Sequence, residues 1–214
     1  KKSLTVGCVI MAPADRRFGA NKLLADFCGQ PMLCRAFAAT AAPSISARIV
    51  VTRSEEVQAL CRAQGVPVLL HSLPGAMIPF GWGFQRCWSS CRSLAAVCFC
   101  PGISTLRRET VESHDRSFLP EQPSPAEWQK EQNGRSSVWE PWPKTARALV
   151  GSPVLFGSSF FPELLTLPEN KGGNILLKKT LRSAHGLHAD SAELLDADTP
   201  EVLQQLEPLP GKKN

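Results

Sequence analysis

The chain has 214 residues, of which 43% are hydrophobic and 20% are charged, and its formal net charge is +5. These values are ordinary for a soluble globular protein, and the length is sufficient for one domain with a sizeable core. Lysine and arginine are scattered rather than clustered, which argues against nucleic acid as a partner and favours an anionic small molecule. The absence of a long apolar run or a signal-peptide pattern predicts a cytoplasmic protein with no membrane partner.

Strand and helix signals alternate along the first hundred residues. An apolar run predicts a strand at Thr5–Met11, and Pro31 is expected at the first position of a helix over Met32–Thr40. Ser54 is expected to cap a second helix that ends at Gly65. This alternation predicts an α/β fold with a doubly wound, mostly parallel sheet that binds ligands at the carboxyl ends of its strands. The other predicted strands are Ala47–Thr52, Val66–Leu70 and Leu94–Cys100.

The remainder of the chain is less regular. Gly75–Arg92 shows no convincing helical periodicity, and a change of reading frame across residues 74–106 would also explain the unusual composition there. Leu119–Arg147 is rich in Pro, Glu, Gln, Ser and Trp, which predicts a long loop within a single domain spanning residues 1–214. Further ordered segments are predicted at Ala148–Phe156, Pro162–Leu167, Lys171–Lys178 and Glu201–Leu206.

All eight cysteines lie in the first hundred residues. Three of them fall within or beside apolar segments and are interpreted as small buried hydrophobic residues. Another four, Cys87, Cys91, Cys98 and Cys100, leave a metal site open as an alternative. Structural zinc sites more often pair two C-x2-C motifs, so the apolar-core interpretation is favoured. The three cysteines interpreted as buried are Cys8, Cys28 and Cys34.

A basic loop that contains a glycine follows the first strand. It reads Ala12-Pro-Ala-Asp-Arg-Arg-Phe-Gly-Ala-Asn-Lys22. Gly19 permits a close approach of the backbone, and Arg17 and Lys22 supply the positive charge that a triphosphate requires. A solvated basic loop without a ligand is the alternative. The position of the loop behind a buried strand favours a phosphate site at the edge of the sheet.

This loop resembles the signature loop of the molybdenum-cofactor nucleotidyltransferases, in which Ala-Ala-Gly-x-Ser-x-Arg-x-Gly-x-x-Lys is typical. Four further segments are similar to motifs of that family and occur in the same order. They are Gly29-Gln-Pro-Met32, Gly151-Ser-Pro-Val-Leu-Phe156, Lys171-Gly-Gly-Asn174 and Asp196-Ala-Asp-Thr-Pro200.

The resemblance implies a sheet of the nucleotidyltransferase (Rossmann-like) type, a reaction and a set of site residues. The family joins CMP or GMP to molybdopterin with release of pyrophosphate, and the closing motif is more similar to the branch that uses CTP than to the one that uses GTP. A molybdenum hydroxylase is the implied recipient of the cofactor. Mg²⁺ is the implied metal with Asp198 as a ligand, although helix capping is an alternative role for this residue. Arg17 and Lys22 are the implied catalytic residues, because they would stabilise charge on the leaving pyrophosphate. The implied nucleotide-binding residues are Ala12, Pro13, Ala14, Arg17, Gly19 and Lys22.

Three positions depart from the family pattern. Pro13 replaces a glycine and has no N–H to offer a phosphate, and Asp15 replaces a serine with a negative charge. Ile103 stands where the family has the aspartate that binds Mg²⁺, and its side chain cannot ligate a hard cation. An inactive family member that binds nucleotide or pterin is therefore the alternative to an enzyme. A sugar-phosphate nucleotidyltransferase on the same fold is a third hypothesis.

Overall fold

A computed structural model describes residues 5–13, 21–43, 45–72, 80–91, 93–102, 140–141, 154–168, 174–180 and 185–186. Its strands are β1 (Val6–Ala12), β2 (Asp26–Phe27), β3 (Gln30–Pro31), β4 (Ile45–Thr52), β5 (Val68–Leu70), β6 (Ala96–Pro101), β7 (Glu140–Pro141), β8 (Val154–Gly157) and β9 (His185–Gly186). Its helices are α1 (Leu33–Ala39), α2 (Glu55–Ala63), α3 (Phe80–Ser90), α4 (Phe161–Leu165) and α5 (Asn174–Thr180), with 3-10 turns at Lys22–Leu24 and Ser158–Phe160.

Five strands form a central sheet in the order β5-β4-β1-β6-β8. Strand β1 pairs in parallel with β4 on one side and with β6 on the other, and β5 continues the parallel set beyond β4. Strand β8 closes the far edge in the antiparallel direction. The predicted α/β fold with a mostly parallel sheet is therefore confirmed.

Helices cover both faces of this sheet, because the side chains of each strand alternate between two cores. Cys8 and Ile10 of β1 belong to the core that includes α1 and α2. Val9 of the same strand belongs to the core that includes α3 and α4. Such continuous burial of β1 on both faces is typical of the central strand of a doubly wound sheet.

The sequence of Gly75–Arg92 shows no convincing helical periodicity, but α3 occupies Phe80–Ser90. Glycine lowers helix propensity by about 1 kcal/mol relative to alanine, and Gly81 and Gly83 therefore weaken the sequence signal. Tertiary packing overrides that preference. Phe84 is fully buried, and its ring centroid lies 4.6 Å from that of Phe161 on α4. This close packing supports residues 80–91 as an integral part of the fold.

Two smaller predictions are corrected by the structure. Pro31 lies in strand β3 rather than at the start of a helix, and α1 begins two residues later at Leu33. The loop over Leu119–Arg147 stays a prediction, since the structure describes only Glu140 and Pro141 of this segment, which form β7 and pair with β9. Cys28 is exposed rather than buried, because it forms the turn of the β2–β3 hairpin together with Gly29. Both turn residues have positive φ, of 55° and 80°, which matches the backbone twist that tight hairpins require.

The signals at the ends of α2 are confirmed. The Ser54 hydroxyl accepts a hydrogen bond from the Val57 N–H at 3.3 Å, and Gly65 adopts a φ of 65° beyond the end of the helix. The predicted segment Glu201–Leu206 lies outside the described residues, and a single domain over residues 1–214 stays a prediction. None of the helices that the structure describes is both long and apolar enough to cross a membrane.

Replacing Gly83 by alanine is expected to destabilise the protein. A Cβ atom at this position would lie 2.7 Å from Val9 Cγ1 and 2.8 Å from Val51 Cγ2, which is closer than such carbons can approach. Overpacking of this kind costs about 1–3 kcal/mol, which offsets the gain in helix propensity. Urea unfolding of Gly83→Ala measures the effect, with Ser89→Ala at an exposed position of α3 as the control. A free energy of unfolding for Gly83→Ala that equals or exceeds that of the control would contradict this docking of α3.

Candidate functional site

The carboxyl ends of four parallel strands meet at one edge of the sheet. Strands β4 and β5 lie on one side of β1, and β6 lies on the other side. The direction of winding therefore reverses between β1 and β6. A reversal of this kind opens a crevice at the carboxyl ends of the two strands, where ligands bind in doubly wound proteins. The loop of residues 12–22, which sequence analysis predicts to hold phosphate, leaves β1 at this point.

Three of the predicted site residues are described by the structure. Ala12 is fully buried in β1 opposite Thr52 of β4, and Pro13 follows it in a half-buried position. Lys22 begins the 3-10 turn and is only 5% exposed. Ala14, Arg17, Gly19 and Asp198 lie outside the described residues, as do Asp15 and Ile103. The roles of these six residues remain predictions.

The returning end of the loop is held against the ends of β1 and β6. Asn21 caps the 3-10 turn, since its side-chain oxygen accepts a hydrogen bond from the Leu23 N–H at 3.1 Å. Gly102 donates its N–H to the Met11 carbonyl at 2.7 Å. A Cβ at Gly102 would lie 3.1 Å from Leu23 Cδ2, so the missing side chain leaves space for the turn. Lys22 is thereby placed at the switch point between β1 and β6.

Unpartnered polar groups are concentrated at this edge. Among the described residues, the buried side-chain nitrogen or oxygen atoms that lack a hydrogen-bond partner are Asn21 Nδ2 and the two ring nitrogens of His71. Leaving such atoms unsatisfied costs about 1–3 kcal/mol each, so native structures seldom contain them without a reason. A polar ligand at the edge would supply the missing partners.

His71 directly follows strand β5. Its N–H donates to the Thr52 carbonyl at 3.0 Å, which continues the β4–β5 pairing, and the residue is only 7% exposed. Burial lowers the pKa of the imidazole, and the positive charge of Arg53 lowers it further. The sequence reasoning missed both Asn21 and His71 as site residues. Their positions could have identified them, since His71 follows strand β5 and Asn21 stands at the end of the loop that follows β1.

The four cysteines of the alternative metal site are divided between the two faces of the sheet. Cys98 and Cys100 belong to the core that includes α1 and α2, whereas Cys87 and Cys91 pack in the opposite core. Burial raises the pKa of Cys87 to about 11, which disfavours the thiolate form that metals require. Within the described part of the chain, no group of three or more His, Cys, Asp or Glu side chains is arranged to hold a metal ion. The apolar-core interpretation is therefore favoured for Cys87 and Cys98, while Cys34 is only half-buried.

The described residues at the edge do not fit a hard divalent cation such as Mg²⁺, which prefers carboxylate and other oxygen ligands. Strand β6 ends at Pro101 and is followed by Gly102, and neither residue has an oxygen-bearing side chain. The Thr52 hydroxyl accepts a hydrogen bond from the Ser54 N–H at 3.1 Å, and the Asn21 side-chain oxygen accepts one from the Leu23 N–H at 3.1 Å. The side chains of Lys22, Arg53 and His71 carry nitrogen atoms only. The described half of the site is therefore suited to an anion rather than to a hard cation.

Comparisons with known proteins agree with this architecture. The sequence profile of the MobA-like NTP transferase domain matches residues 7–186. No curated protein sequence matches the chain significantly. These similarities in sequence are therefore to a family rather than to a characterised protein.

Solved structures of low sequence identity share the fold. Rv0371c from Mycobacterium tuberculosis is 16% identical with a TM-score of 0.67, over 96% of this chain and 98% of that chain. Mth528, a nucleotidyl transferase from Methanothermobacter, is 18% identical with a TM-score of 0.68, over 95% of this chain and 96% of that chain. A CMP:2-keto-3-deoxy-manno-octonic acid synthetase in complex with CTP is 17% identical with a TM-score of 0.54, over 94% of this chain and 96% of that chain. At these identities the similarity shows the fold alone.

Acidification is expected to destabilise the wild-type protein more than a His71→Gln variant. Because the pKa of His71 is lowered below 6.5 on folding, the unfolded chain binds the proton more readily than the folded protein. The stability that this group contributes is present above 6.5 and is lost as the pH falls from there through the lower folded-state pKa. Urea unfolding between about pH 7.5 and about pH 5 measures the two free energies, and glutamine removes the titration while it retains polar groups. Parallel pH profiles for the two proteins would contradict the assignment of a buried, neutral His71.

Proposed function

The chain belongs to the MobA-like NTP transferase family, and on this basis we propose that it transfers CMP from CTP to molybdopterin with release of pyrophosphate. The observation that carries the proposal is the buried Lys22 at the switch point between β1 and β6. An ammonium group in this position lies where a doubly wound sheet binds its ligand. The product would be a dinucleotide form of the cofactor, destined for a molybdenum hydroxylase.

The proposed reaction is an in-line displacement at phosphorus. A terminal phosphate oxygen of molybdopterin forms a new bond to the α-phosphorus of CTP, and the bond between that phosphorus and the bridging oxygen to the β-phosphate breaks. Pyrophosphate leaves with the electron pair of the broken bond. Lys22, together with Arg17, would stabilise the negative charge that develops on the leaving group. Burial strengthens such an interaction, because a low local dielectric screens charges less than water does.

The choice of CTP over GTP rests on the similarity of the closing motif to one branch of the family. A structural neighbour that was solved with CTP is consistent with this choice. Asn21 and His71 would supply polar contacts to the nucleotide, since both carry buried nitrogens that have no partner in the described part of the chain. We propose both residues as additions to the nucleotide-binding set.

The proposed reaction would also use a divalent metal ion, which neutralises the negative charge of the triphosphate. Rv0371c has also been solved in complex with manganese, at 16% identity and a TM-score of 0.59. In this chain Mg²⁺ with Asp198 as a ligand is a proposal carried over from the family motif. Because the described end of β6 does not fit a hard cation, no step of the reaction is assigned to the metal.

The alternative is an inactive family member that binds nucleotide or pterin without turnover. Two observations favour it. Pro13 has no N–H at the start of the loop, where a phosphate-binding backbone would donate one. Gly102 at the end of β6 is followed in the sequence by Ile103, which cannot bind a hard cation.

Two measurements on the purified protein separate these functions. The first is the dissociation constant for CTP and for GTP, and the second is pyrophosphate release from CTP in the presence of molybdopterin and Mg²⁺. Binding together with turnover supports the enzyme, whereas binding without turnover supports the inactive member. In the second case, turnover gained by Ile103→Asp would assign the loss to the metal site. Failure to bind either nucleotide would overturn both proposals.

Lys22→Met is expected to weaken CTP binding by about tenfold to a hundredfold, which corresponds to the 1.5–3 kcal/mol of a charged hydrogen bond. Methionine retains most of the volume of the aliphatic chain and removes only the ammonium group. Lys178→Met, at an exposed position of α5, is the matched control and should bind CTP as the wild type does. Isothermal titration gives both constants, and thermal unfolding verifies that each variant is folded. Equal affinities for the two variants would remove Lys22 from the nucleotide site.

A further inference from the structure

Packing alone does not explain a histidine at position 71. An apolar side chain of similar volume, such as that of the preceding Leu70 in β5, would fill the space and need no hydrogen-bond partner. A neutral imidazole has one N–H donor and one acceptor nitrogen, and among the described residues both nitrogens of His71 are buried without a partner. The residue stands at the carboxyl edge, next to the end of β4, where this fold binds ligands. A ligand that enters the edge would therefore meet an imidazole that none of the described groups satisfies.

The charges around His71 depend on whether a ligand is present. Strand β5 packs against β4 and α2, so among the described residues the charged groups of these elements are the ones to consider. Arg48 of β4 donates a hydrogen bond to the Phe37 carbonyl of α1 at 3.0 Å. Arg53 directly follows β4, and its positive charge opposes protonation of the imidazole. The first turn of α2 carries Glu55 and Glu56, and its last turn carries Arg62, but all three side chains are exposed to solvent and therefore screened. In the free protein, burial and Arg53 together keep the ring neutral near pH 7.

A bound triphosphate would reverse this balance. It brings several negative charges to the carboxyl edge, which favour the imidazolium form and offset the field of Arg53. The imidazolium has two N–H donors and no acceptor, which suits an anion better than the neutral ring does. We propose that the protein takes up a proton at His71 when it binds a nucleoside triphosphate, so that binding tightens under mildly acidic conditions. This inference rests on the proposed nucleotide-binding function.

The direction of the linkage follows from the two states of the ring. Above both pKa values of His71, in the free and in the bound protein, the ring is neutral in both forms and the affinity does not depend on its proton. Between the two values, binding takes up a proton, and the association constant rises by up to about tenfold for each unit by which the pH falls. Below both values the ring is charged in both forms, and the dependence ends. The lower end of this window lies below 6.5, because the pKa of His71 in the free protein is lowered from that value.

Calorimetric titration of CTP into the full chain tests the proposal. Titrations in buffers of different ionisation enthalpy count the protons taken up on binding, from about pH 7.5 to about pH 5.5. The γ-phosphate of CTP titrates in the same range, but it does so equally with every variant. We expect the wild type to take up more protons than His71→Gln by up to one per CTP, and to gain about tenfold more affinity over this range. His185→Gln, which changes another histidine of the chain, is the control and should behave as the wild type does.

Nuclear magnetic resonance of the wild-type protein gives a second readout that does not depend on a variant. The ring signals of His71 report its pKa with and without saturating CTP, and a higher value with CTP is expected. Binding of CTP with the same pH profile in the wild type and in His71→Gln, or an unchanged His71 titration, would overturn the proton linkage while nucleotide binding stands. Failure of the wild type to bind CTP at any pH would overturn the nucleotide-binding function and the linkage together.

Discussion

The close approach of helix α3 to strand β1 sets the geometry on which the rest of the structure depends. Two glycines, one on each element, make this approach possible. A Cβ at Gly7 of β1 would lie 2.7 Å from Cys87 Sγ of α3, and a Cβ at Gly83 of α3 would lie 2.7 Å from Val9 Cγ1 of β1. Because interiors are packed as densely as organic crystals, any side chain at either position would push the helix away from the sheet. Strand β1 can then be central and buried on both faces.

The same reliance on glycine recurs at the site. Gly102 contacts the Met11 carbonyl and the side chains of the turn that ends the basic loop. A larger residue there would displace Leu23, and with it the adjacent Lys22. The position of the charged group at the switch point therefore follows from packing between apolar atoms beneath it. The placement of Lys22 therefore depends on the end of β6, although the two are distant in sequence.

Much of the fold could be predicted from local signals. Buried strands carry continuous apolar runs, as at Val6–Ala12. The ends of α2 are marked in the sequence by a serine that caps the helix and by a glycine that can adopt a positive φ, Ser54 and Gly65. Helix α3 could not be predicted, because its stability comes from tertiary contacts that outweigh the low helix propensity of Gly81 and Gly83. The exposure of Cys28 could not be predicted either, because it depends on the sharp turn between β2 and β3.

The candidate site divides in the same way. Lys22 belongs to a motif with a recognisable spacing, and its position at the edge of a parallel sheet follows from the order of the elements. Asn21 and His71 belong to no motif, and a single histidine after a strand is most often a satisfied core residue. What distinguishes His71 is that its two buried nitrogens have no partner among the residues that the structure describes, which only three-dimensional coordinates reveal. Sequence patterns thus locate the edge, and the coordinates identify which of its polar groups are unsatisfied.

The character of these groups bears on whether the protein catalyses its reaction or only binds a ligand. Lys22, Arg53 and His71 can all be positively charged, and positive charge that contacts a triphosphate equally in the ground state and in the transition state increases affinity without increasing the rate. Acceleration requires charge that acts more strongly on the leaving pyrophosphate than on the intact triphosphate, which is the contribution expected of a metal ion in this family. Under the proposed function, Gly102 after β6 offers no side-chain oxygen to such an ion, so the contribution would fall to the cations of the basic loop. The described groups at this edge would then raise the affinity for a nucleotide more than the rate of its turnover.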